Sequence, residues 1–324
     1  MQRFFRFLIL IIIATLLLTS CSPARLNPRY KQLFRAEGEI LSLQTNGAVE
    51  RQPLANGFRQ LILRLPVSDD GNGIILNDIY YYVKGKKLVI FPLHNRDRQD
   101  MYTAEDGEIL RLHLVSEKHI ILSKAFKPRG QSQPIGEYEF YELEVATGEV
   151  TALSQEATAP ELSPNFLAIV QDRLFFTNDK VKLGEINLTN GQVTDMSAQV
   201  EHKPTHAAIS GDTLFLSAWH QALYTLSLSP ATSPANINKI DFGKIAGLPG
   251  AIAADDNGVL LSLEGSDVNS AIYRLEMPGL EPVLLSDLQG TGISNLSHLL
   301  RDQNQIYCLA NEGKKFTALP VSGS

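Results

Sequence analysis

Two histidines stand four residues apart in His202-Lys203-Pro204-Thr205-His206, a spacing that would put two metal ligands on one face of a helix. Pro204 works against a helix there, so His206 reads as a strand residue, either aimed into a central channel or an ordinary polar position. Asp69-Asp70-Gly71-Asn72-Gly73 sets oxygen ligands at the short intervals calcium takes. It lacks the later bidentate glutamate of an EF-hand loop and reads first as a solvated turn. Glu264, Asp267 and Asn269 follow one apolar run and Glu312 follows another, so these acids and amides are the raw material of a metal site if the fold brings them together. Trp219, His220 and Tyr224, with His206, form the candidate binding surface for protein or sugar. The Tyr80-Tyr81-Tyr82 run offers more aromatic area, although strand alternation sends Tyr81 to the opposite face and commits at least one side to the core.

No Gly-x-Ser-x-Gly elbow, phosphate-binding loop, His-Glu-x-x-His or Cys-x-x-Cys occurs, so no catalytic residue is assigned and no cofactor is expected. Cys308, inside Ile306-Tyr307-Cys308-Leu309, reads as a packing residue rather than a reactive thiol.

The most specific chemistry lies at the start of the chain. Arg3 and Arg6 precede an apolar stretch from Phe7 to Leu18, the layout of a secretory signal and shorter than the ~20 residues of a spanning helix. Leu18-Thr19-Ser20-Cys21 closes it and resembles a bacterial lipobox. That resemblance implies cleavage after residue 20, a diacylglyceryl group on Cys21, and anchoring by several acyl chains, each contributing about 0.8 kcal/mol per buried CH₂. An ordinary cleaved signal or a short uncleaved anchor is the simpler alternative. Ser22 and Pro23 follow the cysteine with no Asp, which in enteric-type lipoproteins implies the outer membrane, facing the periplasm. Residues 21–36, with Pro23 and Pro28, read as the lipidated cysteine and a tether, and 37–324 as the folded domain.

Hydrophobic residues at 44% and charged ones at 20% place that domain in the ordered globular range. Loss of residues 1–20 removes Arg3 and Arg6 and no acid, leaving 27 basic against 35 acidic side chains, a balance of −8. An acidic chain without a Lys/Arg cluster is a poor partner for nucleic acid. With Cys21 acylated, Cys308 has no partner for an internal disulfide.

The elements that must position these groups repeat along the chain. A polar turn residue stands two positions before an aliphatic or aromatic run at Asn77, Lys118, Asp172, Asp212, Asn257 and Asn304. Asn and Asp tolerate the left-handed backbone of tight hairpins. The runs begin at Ile79, Ile120, Leu174, Leu214, Val259 and Ile306, so successive differences are 41, 54, 40, 45 and 47 residues, a propeller-like period. A second, alternating strand follows in each unit, as in Leu223-Tyr224-Thr225-Leu226 and Ile272-Tyr273-Arg274-Leu275, and several copies add a Thr-Gly or Asn-Gly turn and a third strand. The less apolar stretches before each start, such as 204–210 and 251–255, complete four-stranded antiparallel sheets as innermost strands. The expectation is an all-β propeller of six blades, or seven if 58–65 belongs to a blade of its own. Gly38 to Leu43 reads as the outer half of a blade, so N-terminal strands pair into the last blade and close the ring.

The Leu-Tyr-x-Leu strands with their Thr-Gly type turns resemble the broad class of bacterial envelope β-propellers over nearly the whole mature chain. Among lipoproteins the nearest analogy is the propeller subunit of the outer-membrane β-barrel assembly machinery, a scaffold. That family's repeats carry a recurrent tryptophan where this chain has only Trp219, so no residue is carried over, and the same shortage speaks against a quinone-dependent dehydrogenase. These resemblances imply a lipid-anchored protein-binding or scaffolding module with an envelope protein as partner. The alternatives are a lactonase-like metal-dependent hydrolase or lyase, with its site in the channel, and a lectin-like reader of glycans.

Overall fold

A computed structural model describes residues 29–36, 39–51, 60–127, 135–219, 221–228, 236–241, 248–255, 258–264, 270–302, 305–311 and 313–321. Seven antiparallel sheets follow one another along the chain. Blade 1 is β1 (Tyr30–Ala36), β2 (Glu39–Gln44), β3 (Ala48–Arg51) and β4 (Gln60–Arg64), and blade 2 is β5 (Ile74–Leu76), β6 (Ile79–Lys84), β7 (Lys87–Pro92) and β8 (Gln99–Thr103). Blade 3 contains β9 (Glu108–Val115), β10 (His119–Phe126), β11 (Ile135–Glu144) and β12 (Val150–Ala152). Blade 4 contains β13 (Asn165–Val170), β14 (Arg173–Thr177), β15 (Gly184–Asn187) and β16 (Val193–Asp195). Blade 5 follows with β17 (His206–Ser210), β18 (Thr213–Ala218), β19 (Ala222–Ser227) and β20 (Ile237–Lys239), and blade 6 with β21 (Leu248–Asp255), β22 (Gly258–Glu264), β23 (Ala271–Glu276) and β24 (Glu281–Asp287). Blade 7 has β25 (His298–Asp302), β26 (Gln305–Ala310) and β27 (Lys315–Pro320), three strands among the described residues. First strands touch around the ring, β1 to β5, β5 to β9 and onward to β25 and back to β1.

All six runs singled out in the sequence are second strands of blades 2 to 7. They are nearly continuous apolar segments because both faces are covered by neighbouring blades; β22, for example, is buried at every position. Outer strands are mostly exposed, as in β12, β16 and β20, each three residues long. Asn77 and Asp78 take φ of 49° and 60°, the left-handed turn that asparagine and aspartate tolerate.

The core is divided into seven clusters, one at each interface between blades. Tyr80 and Tyr82 stack at 5.2 Å in the cluster between blades 1 and 2, and Tyr81 packs between blades 2 and 3. Both faces of the tyrosine run are therefore core, so it supplies no aromatic contact surface. Among the described residues the cluster between blades 7 and 1 is the smallest, with Tyr30, Leu33, Leu309 and Phe316 as its buried members.

The count is seven, the larger of the two that the sequence allowed, and the additional blade is the N-terminal one. Three details are corrected. Residues Gln60–Arg64 are its outer strand rather than the start of another blade. Glu39–Gln44 is a second strand, not part of an outer half, because the segment before it, assigned to the tether up to residue 36, forms the innermost strand Tyr30–Ala36. Finally, β1 to β4 pair among themselves and not into the last blade. Among the described residues blades 7 and 1 meet through side chains and one backbone bond, Tyr30 N–H to the Gly313 carbonyl at 2.6 Å.

Polar ties on the face carrying the first-to-second-strand turns reinforce four interfaces. Asn77 Nδ2 donates to Glu117 Oε1 (2.9 Å), His119 Nε2 lies 3.1 Å from Asp172 Oδ1, and Arg301 Nη1 reaches Asp255 Oδ2 (3.3 Å). Arg35 Nη1 pairs with Asp302 at 3.4 Å and its Nη2 donates to the Arg301 carbonyl at 2.8 Å.

Gly184 on β15 tests how tightly an interface is filled, because a Cβ there would lie 2.5 Å from the ring of the fully buried Phe176. Gly184→Ala should cost about 1–3 kcal/mol by overpacking, read from the midpoint of urea unfolding. Adding Phe176→Leu should recover part of that loss, whereas Phe176→Ala alone should cost about 3–5 kcal/mol.

Candidate functional site

The face of the ring at which first strands begin gathers several of the expected residues. His206 opens β17, opposite Ser217 of β18, and Trp219 follows the end of β18, so the hairpin brings the two rings to 5.0 Å, tilted by 40°. Thr205 Oγ1 lies 2.9 Å from His206 Nδ1. His298 opens β25 on the same face, and burial, helped by repulsion from His206, holds its ring down to about 4. Burial also lowers His206. The His206 ring meets the half-buried Trp219 indole. His202 does not join them: its ring turns to Glu201 at 3.9 Å, and its backbone N–H donates to the Tyr224 hydroxyl at 3.0 Å.

Tyr224 leaves the candidate surface. It is 1% exposed within the core shared by blades 4 and 5, because its alternation on β19 points it inward. His220, Asp267, Asn269 and Glu312 lie outside the described residues, as do Cys21 and the rest of the leader.

Glu264, at the end of β22, is 6% exposed. Its oxygens accept the backbone N–H groups of Leu296 (2.9 Å) and Asn295 (3.1 Å), and Ser262 Oγ lies 3.4 Å away. It is a structural carboxylate fastening blade 6 to the loop before blade 7. The Asp69-Asp70 turn is used similarly. Asp69 accepts from Lys84 Nζ (2.9 Å) and Gly85 N–H (2.7 Å), bonds that hold its carboxyl below the usual range despite partial burial. Asp70 accepts from Asn72 N–H (2.9 Å), from Ser68 Oγ and, on blade 3, from Leu112 N–H (2.7 Å). The segment from 65 to 73 therefore straps blade 1 to blades 2 and 3, with Lys31 of β1 bonded to the Gly71 carbonyl. His113, on the bulge of β9, contacts Ser123 Oγ at 2.8 Å and is pushed down to about 4 by burial. Cys308 is fully buried, its thiol pushed up to about 12, in keeping with a packing role. Among the described residues no three His, Cys, Asp or Glu side chains gather closely enough to hold a metal ion.

A groove that the sequence did not reveal opens between blades 3 and 4 on the opposite face, with a volume of about 600 Å³. Its floor is His119, with Nδ1 2.8 Å from Glu142 Oε1 and Nε2 3.1 Å from Asp172 Oδ1. The bond to His119 leads the effects that hold the Asp172 carboxyl below its ordinary value. With Glu142 of blade 3 on one ring nitrogen and Asp172 of blade 4 on the other, the constellation fits an interblade clamp. Glu117, Glu144 and Glu149 line the walls and could offer carboxylates to a cationic group. The parts are distant in sequence, Asp172 lying 53 positions after His119, and no local motif links them.

The buried histidines give acid sensitivity with a definite sign. The folded values of His113 and His298 lie below the 6.5 of the free side chain, so on acidification the unfolded chain takes up protons first. Stability should fall as pH drops from about 6.5 towards 4, by about 2 kcal/mol for each ring between pH 7 and pH 5. Urea unfolding at the two pH values measures this, and His298→Asn should remove that ring's share.

No known protein family matches the chain, and no curated protein matches it. Among solved structures it is similar to YCF48 bound to a D1 peptide, at a TM-score of 0.57 and 11% identity, over 91% of this chain and 93% of that one. It is similar also to the computationally designed protein Ika8, at a TM-score of 0.56 and 12% identity over 91% and 97% of the two chains. A third is KlAtg21 in complex with the coiled coil of AgAtg16, at 0.53 and 10% identity over 90% and 94%. At such identities the likeness shows the fold: the chain is a β-propeller of seven blades.

Proposed function

We propose that this chain is a lipid-anchored protein of the bacterial cell envelope, held at the outer membrane facing the periplasm, whose propeller binds another envelope protein as a scaffold. The observation that carries the binding reading is apolar surface on one sector of the rim. The outer strand of blade 6 exposes Val283 (37%) and Leu284 (44%), and that of blade 1 exposes Leu61 (49%) and Ile62 (37%). These flank blade 7, where three strands are described. Outer strands elsewhere show polar residues at comparable positions, such as Thr151, Thr194 and Asn238. Exposed aliphatic side chains on the two blades that flank blade 7 suit a protein partner more than a sugar, whose recognition calls for exposed aromatics beside amides. YCF48 with its peptide and KlAtg21 with its coiled coil are propellers of similar form that were solved holding protein segments.

The anchor reading rests on Leu18-Thr19-Ser20-Cys21. Cys21→Ser should abolish incorporation of labelled palmitate and move the chain from the membrane to the soluble fraction; unchanged membrane association would overturn it. For the rim, crosslinking in intact envelopes followed by capture of the full chain should yield one stoichiometric membrane protein. Leu61→Asp with Val283→Asp should reduce its recovery about tenfold or more, the effect of losing apolar anchors at an interface centre. Equal recovery would overturn the rim assignment.

A further inference from the structure

We infer that the groove between blades 3 and 4 is a docking site for an extended, arginine-bearing segment of a protein partner. Its shape comes from short outer strands. β12 and β16 span three residues each, so the seam between their blades stays open towards the rim. The cavity of about 600 Å³ over His119 runs into a second of about 270 Å³, and the two share Glu142, Thr151, Leu188 and Thr189. A continuous groove of that size suits several residues of extended chain. Val145, Ala146 and Leu188 offer apolar surface to the stems of long side chains, and Thr151 and Thr189 offer hydroxyls.

Charge decides what kind of segment fits. β11 and β12 pair Glu142 with Thr151 and Leu143 with Val150, which sets Glu144 opposite Glu149, the Glu144 N–H bonded to the Glu149 carbonyl at 2.9 Å. Strand alternation turns Glu144 to the same face as Glu142, the face on which Glu142 meets His119. Two carboxylates directly opposite each other across a hairpin repel and destabilise it. Among the described residues no cation relieves them: Glu144 accepts only from the Thr147 hydroxyl (2.7 Å), and Glu117, in the turn between β9 and β10, accepts from Asn77. The cations that line the groove are already engaged, since Lys118 lies 3.7 Å from Asp172 and His119 stands between Glu142 and Asp172. The groove therefore keeps a like-charge pair beside an open, partly apolar cavity. A guanidinium, planar and able to bond two carboxylates at once, matches that pair better than a point-like ammonium. This site is separate from the aliphatic rim and does not rest on it.

The test uses the full chain in detergent and two capped pentapeptides, Gly-Val-Arg-Val-Gly and the same sequence with citrulline, which keeps the shape of arginine without its charge. Amide-resolved NMR should show the arginine peptide shifting Thr151 and Thr189, with the citrulline peptide bound about tenfold more weakly. Glu144→Gln with Glu149→Gln should weaken the arginine peptide about tenfold and at the same time raise the urea midpoint, because the repulsion is gone. Glu281→Gln, on exposed β24, and the rim variant Leu61→Asp with Val283→Asp should bind the peptide as the parent does. The inference is overturned by unshifted Thr151 and Thr189, by equal affinity for the two peptides, by an equal loss in Glu281→Gln, or by a midpoint that falls when Glu144 and Glu149 are replaced. Spermidine binding as tightly as the peptide would overturn it too, as the sign of a small-cation site. Full recovery of the envelope partner by the rim variant would remove the rim reading and leave the groove standing.

Discussion

Everything in this fold depends on covering second strands from both sides. A strand such as β22, buried at every position, belongs to a sheet whose two faces are apolar, and a single four-stranded blade can bury neither face by itself. Each blade therefore needs a neighbour on either side, and the series has no stable end until it returns to its start. The core is accordingly a set of interface clusters around the ring, not one central mass.

At the closure of the ring, polar groups accompany the smallest apolar cluster among the described residues. There Arg35 bonds both the Asp302 carboxylate and the Arg301 carbonyl across blades 7 and 1. Arg301 in turn faces Asp255 of blade 6, so successive blades are tied turn to turn. His119 between Glu142 and Asp172 serves the same purpose between blades 3 and 4. These pairs range from buried to half exposed, and the exposed ones contribute little individually. Their geometric role is to fix the angle at which one blade meets the next.

That use of titratable groups explains why residues suggestive of catalysis prove structural. Glu264 and Asp70 have the composition of metal ligands, but their oxygens are occupied by backbone N–H groups of neighbouring blades. Connections between blades leave backbone donors outside the strand ladders, and a carboxylate can accept two of them. The proposed recognition falls instead on the rim, where the outer strands of blades 3, 4 and 5 are short and largely exposed.

Local residue types account for the second strands and the all-β character of the fold. Runs such as Leu174-Phe175-Phe176 and Leu214-Phe215-Leu216 are apolar without interruption because both faces are covered, and the Asn or Asp before them provides the turn, so local residue types suffice. The first blade escaped because Tyr30–Ala36 mixes polar residues with apolar ones at irregular positions, its second strand is not announced by an Asn or Asp, and the segment stands where a tether was expected. What touches what was decided only in three dimensions. Tyr224 looked like a contact residue and is core, Glu264 looked like a ligand and is a fastener, and the His119 groove joins side chains dozens of residues apart. Sequence periodicity reports which side of a strand is covered. The angle and order of the blades, set by packing around the whole ring, decide which side chains meet.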